Sequence, residues 1–147
     1  MRTFLLPRFL LTLLMMVSVS AWPADGRILS FEGDVQVNGK PVTADTTLNR
    51  TDTVTTATGA SVKIVLSDNS VLDLDGDSKI LISDYSFSPD EPETNTSKVN
   101  VLAGTLRYVS GAIAKDDPKN ISFTAGNSTI GVRGTYISIS VDPQAEQ

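Results

Sequence analysis

The chain has no cysteine and no histidine, a single tryptophan, and only 12 Lys and Arg against 17 Asp and Glu. Without cysteine there are no disulfides, no thiolate metal ligands and no site for a cysteine-linked lipid, so the fold rests on core burial alone. Without histidine or cysteine, Ser-His and Cys-His nucleophile systems and most zinc sites cannot be assembled. A formal charge of −5 argues against a phosphate backbone as partner, so no nucleic acid is expected. Past the N-terminus no apolar run approaches the roughly 20 residues of a membrane-crossing helix, so the mature chain is expected to carry no transmembrane segment.

The N-terminus has its own pattern. Arg2 and Arg8 precede an apolar run, Phe9–Val17, and Ser18-Val19-Ser20-Ala21 follows with Val19 at minus three and Ala21 at minus one. This is the layout of a secretory signal peptide. Cleavage after Ala21 is favoured over Ala24, which would set bulky Trp22 at minus three. The expected organisation is a leader at 1–21 and one domain at 22–147, located in the periplasm or secreted. Loss of Arg2 and Arg8 takes the formal charge from −5 to −7.

Glycine, asparagine and serine punctuate the mature chain at short intervals, and the runs between them are rich in Val, Ile and Thr with alternating polarity. That spacing predicts an all-β domain with little helix. Asn38-Gly39, between Val35–Val37 and Lys40–Val42, fits the two positive-φ places of a type I′ hairpin turn. Val62, Ile64 and Leu66 share one face, a turn falls at Asp68-Asn69, and Leu72 and Leu74 return. Asn69 tolerates the left-handed conformation. Thr51 is β-branched and is expected to avoid it, so the turn before Asp52 is expected to differ in type. Ser88–Ser97 has two prolines, three carboxylates and no apolar residue, and reads as a solvated loop.

Few groups offer chemistry. A serine-lysine dyad would need a buried lysine, yet Lys63, Lys79 and Lys98 fall in alternating strands where solvent is the default. Asp73, Asp75 and Asp77 have a spacing that places carboxylates together, but the glycine order and the missing closing glutamate break the EF-hand pattern, and an exposed acidic turn is the expected reading. No catalytic residue, cofactor or metal ligand is assigned. Tyr85 and Phe87 are the nearest thing to an aromatic sugar-stacking platform. The sharpest feature is Gly131-Val132-Arg133-Gly134-Thr135, which joins two alternating stretches. Its glycines suggest positive φ or a tight backbone crossing. Arg133 reads either as an anion anchor or as a lock on turn carbonyls or on a carboxylate such as Asp52, with the lock preferred. Gly131, Arg133, Gly134 and Thr135 are therefore the candidate motif residues, in a structural role.

These residues carry a resemblance. Val99–Val109 with the Gly131–Thr135 motif, Leu48-x-x-x-Asp52-Thr53-Val54-x-Thr56, Gly59–Leu66 and Ser67–Ser70 together are similar to the FecR domain family of bacterial envelope proteins, over about Ile28 to Val141. The resemblance implies a small twisted β-solenoid with sandwich-like packing; periodicity by itself leaves an ordinary sandwich or barrel open. Members that regulate iron-uptake transcription place this domain beyond the inner membrane, behind a transmembrane helix and a sigma-factor-binding segment. With neither expected here, the chain reads as a stand-alone, non-catalytic exported module that binds an envelope protein through exposed strand edges. The alternatives are a polysaccharide- or peptidoglycan-binding module and a small hydrolase.

Overall fold

Alternating burial runs through every long segment, and the resulting strands assemble around one core. The computed structural model describes residues 23–142. The leader and its expected cleavage junction lie outside them. The strands are β1 (Gly26–Glu32), β2 (Val35–Val37), β3 (Lys40–Pro41), β4 (Thr47–Leu48), β5 (Thr53–Thr56), β6 (Ser61–Leu66), β7 (Val71–Leu74), β8 (Lys79–Ser86), β9 (Thr96–Val109), β10 (Ile121–Ala125), β11 (Ser128–Gly131) and β12 (Tyr136–Val141). A short helix α1 (Ala112–Asp116) and two single 3₁₀ turns complete them, so the fold is all-β with little helix, as expected.

The 12 strands form one curled sheet whose hinge is β9. The first half of β9 pairs with β8 on one side and β10 on the other, and its second half pairs with β7 and β12. The sheet thereby folds into two layers, β3-β2-β5-β8-β9-β10-β11 and β4-β1-β6-β7-β9-β12. The packing is the sandwich-like kind, with parallel pairing confined to β9–β10 among the described strands. Inward side chains such as Ile64, Leu72, Leu74 and Leu106 of one layer meet Val54, Ile80, Ile82 and Phe123 of the other, all fully buried. Tyr108 packs edge-on to Phe123 at 5.0 Å between ring centres.

Turn chemistry is partly as expected. Asn38 and Gly39 both have positive φ, 53° and 79°, as a type I′ turn requires, and Asn69 adopts φ 64°. The Asn38 side chain does more than turn the chain: its Nδ2 donates to Asp52 and its Oδ1 accepts from the Thr53 amide. Thr51 departs from expectation, because it does take the left-handed conformation, at φ 74°. Strain of about 1–3 kcal/mol is offset there by several bonds. The Thr51 amide donates to the Ile82 carbonyl, and the Asp52 carboxylate accepts from the Asn49 amide. The solvated loop is also corrected at one point. Asn95 is buried, and its Oδ1 accepts from the Ser88 amide to close the loop's base.

Tyr85 and Tyr108 are fully buried, so neither forms a surface platform, and Phe87 packs against the core. Desolvation first, and the Asp68 carboxylate second, hold both phenols far above their ordinary 10.0. The unfolded chain releases these protons near that ordinary value while the folded chain keeps them. The raised values therefore contribute stability that is complete below about pH 10 and is lost as pH rises beyond it. Urea melts from about pH 9 upward are expected to lose stability with a slope approaching ~2.7 kcal/mol per pH unit for two phenols. A flat profile through this range would contradict the reading.

Candidate functional site

The ends of the two layers are built differently. On one side the terminal strands are β3 and β4, each only two residues long; β3 carries Lys40 and Pro41, while β4 covers only Gly26 and Arg27 of β1, so Ser30–Glu32 of β1 is also an edge there. Short strands, lysine and proline are the usual protections against unwanted strand pairing. On the other side the edges are β11 and β12, which among the described strands pair only with β10 and β9 respectively. Tyr136–Val141 contains no charge and no proline across six residues.

The direction of the free groups on β12 follows from its register. The Ser110 amide donates to the Thr135 carbonyl, and the pairing continues as Ile137 with Tyr108 and Ile139 with Leu106. Hydrogen-bonded and non-hydrogen-bonded pairs alternate in an antiparallel ladder. Tyr136, Ser138 and Ser140 therefore aim their N–H and C=O groups away from β9. On the inner face Ile139 is buried, whereas Ile137 and Val141 are only half-covered.

Between β12 and the β10–β11 hairpin lies a groove of about 580 Å³, lined by Ile121, Ser122, Thr129, Val132, Ile137 and the two cations Lys119 and Arg133. The predicted motif contributes Gly131, Val132 and Arg133 to its lining. Gly131 ends β11, Val132 turns inward and is buried, and Arg133, Gly134 and Thr135 are exposed. Val132 is the anchor that sequence reasoning left out of the motif; its apolar side chain between polar and glycine neighbours was the available signal.

Two expectations for the motif are corrected. Gly134 has φ 121°, so the positive-φ reading holds, but a side chain at Gly131 or Gly134 would meet nothing within 4 Å, so no tight crossing exists. Arg133 does not lock the turn onto Asp52, whose oxygens accept from Asn38 and Asn49. Gly134→Val is thus expected to cost about 1–3 kcal/mol from backbone strain alone. Arg133→Ala should leave the urea midpoint nearly unchanged. Equal losses in the two variants would restore the lock.

The other candidates disperse. Asp75 is held by Arg107 through two bonds of 2.8 and 2.7 Å, Asp77 accepts from the Thr58 hydroxyl at 2.6 Å, and Asp73 lies opposite Arg107 in the ladder. Among the described residues no carboxylates converge as a cation site. Lys63 and Lys79 are exposed, and Lys98 faces Asp84 at 3.6 Å.

A family model described as FecR protein matches residues 52–147, more than half of the chain. The chain belongs to the FecR family. The match begins at Asp52, so β1–β4 precede it, although β1 and β2 pair directly with matched strands. No curated protein and no solved structure matches this FecR chain. Membership points to a domain that works in sensing or regulation through interaction.

Proposed function

We propose that this FecR-family chain is an exported, non-catalytic interaction module that binds an envelope protein by accepting one of its strands along β12. The observation that carries the reading is the uncharged, proline-free edge at Tyr136–Val141, with the outward amides of Tyr136, Ser138 and Ser140 beside a half-covered apolar inner face. Main-chain bonds to an added strand give affinity, and alternate side-chain pockets give selectivity. The signal-peptide pattern at 1–21 supports export, and the lack of histidine and cysteine supports a role without catalysis.

Proline at Ser138 tests the edge selectively. It removes an outward donor and leaves the bonds to β9 intact, which an edge strand tolerates. Mature protein and Ser138→Pro should have similar urea midpoints. Cross-linking in envelope extract, with bands identified by mass spectrometry, should join the mature protein to an envelope protein that Ser138→Pro loses. Equal capture by both would sink strand addition.

A further inference from the structure

We propose that the partner's recognition element is an extended acidic segment, apolar at alternate positions and presenting one carboxylate between Lys119 and Arg133. The inference rests on the strand-addition reading and adds chemistry to it. A strand laid beside β12 points every second side chain inward, over the β10–β11 hairpin. Those side chains meet a lining in which Ile121 and Val132 are buried and Ile137 is half-covered, so Ile137 is the apolar group that favours apolar residues there. The same lining includes the two cations Lys119 and Arg133 and no carboxylate. This is the reverse of the molecule as a whole, which carries a net charge of −5.

Asp117 Oδ1 accepts from the Lys119 backbone amide at 3.0 Å and caps the turn that carries Lys119 into the groove wall. Among the described residues neither the Lys119 nor the Arg133 side chain has an ion-pair partner. The contrast is with Arg107, on the outer face, whose guanidinium is already bidentate with Asp75. A guanidinium fork and an ammonium flanking one groove suit a carboxylate, which takes paired donors. A second copy of Tyr136–Val141 offers no carboxylate at all.

Two fluorescein-labelled nine-residue peptides alternating valine and threonine, one with a central glutamate and one with a central lysine, test this by anisotropy against the mature chain. The glutamate peptide is expected to bind at least about tenfold more tightly, with the preference shrinking as salt rises. Lys119→Glu combined with Arg133→Glu should invert the preference. Ser138→Pro should weaken both peptides. Equal affinities, both lost in Ser138→Pro, would overturn the acidic preference and leave strand addition standing. Binding of neither peptide would overturn the proposal, as would a dimer seen by light scattering that excludes the glutamate peptide, since it would assign the edge to a second copy.

Discussion

Gly104→Ala is expected to destabilise the domain by more than about 4 kcal/mol. Gly104 has φ 79°, and a Cβ there would lie 2.1 Å from Ser78 Oγ, 2.5 Å from Ser78 Cα and 2.7 Å from the Asp77 carbonyl oxygen. The hydroxyl can rotate away, but the Cα and the carbonyl belong to the backbone. That backbone is fixed in turn: Ser78 N–H donates to Thr56 Oγ1, and Ser78 Oγ accepts from the Thr105 amide. Relief requires β8 and β9 to separate where β9 passes from one layer to the other. A loss beyond about 4 kcal/mol is the expected scale, against a typical total of about 5–15 kcal/mol for a domain. Gly39→Ala is the control, because φ is again 79° but nothing lies within 4 Å. It should cost only the local strain. Circular dichroism and urea melts separate the two, and a Gly104→Ala protein that melts like Gly39→Ala would refute the close-packing argument.

The same residue shows how far the sequence could be read. Val99–Val109 reads as one alternating stretch, and β9 is indeed one strand. Its phase nevertheless slips: Val99 and Val101 are buried on odd positions, Leu106 and Tyr108 on even ones. The left-handed Gly104 and the irregular pairing at Lys79–Ile80 absorb the change. Alternation names the face of each half but not its pairing partners, which is why sandwich-like packing could be expected while the strand order, with β9 shared by both layers, was not legible. Local turn chemistry was legible at Asn38-Gly39 and Asn69, where one residue's φ preference decides. It failed at Thr51, where bonds from distant Ile82 and neighbouring Asn49 override that preference. The candidate site was half visible. The Gly131–Thr135 motif could be seen, yet its meaning depends on β11 and β12 being edges, a property of topology. The uncharged run Tyr136–Val141 was the clue within the sequence, since edge strands normally carry charge or proline.

Asp68→Ala is expected to be the most damaging change of a polar residue, because one buried carboxylate ties three distant segments together. Asp68 is 1% exposed. Its Oδ1 accepts from Ser70 Oγ at 2.6 Å, from the Ser70 amide at 3.2 Å and from Tyr85 Oη at 3.0 Å, while Oδ2 accepts from the Ile113 amide at 3.4 Å. The Tyr85 oxygen accepts in return from the Asp68 amide, and the Asp68 carbonyl accepts from the Ala112 amide. Asp68 therefore supplies from across the fold the cap that Gly111 cannot give to α1. Truncation leaves the Tyr85 hydroxyl, the Ser70 hydroxyl and the Ile113 amide buried without their acceptor, at about 1–3 kcal/mol each. Partial relaxation and water entry reduce the sum, and a loss of about 3–5 kcal/mol is expected. Tyr85→Phe removes one donor and one acceptor from the same network and should cost less, about 1–2 kcal/mol. The double variant should then lose less than the sum of the singles, because the two residues share one bond. The consequence reaches the groove, since α1 leads directly into Pro118 and Lys119 on its wall. Hydrogen exchange at Ala112 and Ile113 should quicken in Asp68→Ala before that of the β12 amides bonded to β9. Uniform quickening of both, or urea midpoints that place Asp68→Ala above Tyr85→Phe, would show that the carboxylate is not the tie between the Asp68 turn, Tyr85 and the helix beside the groove.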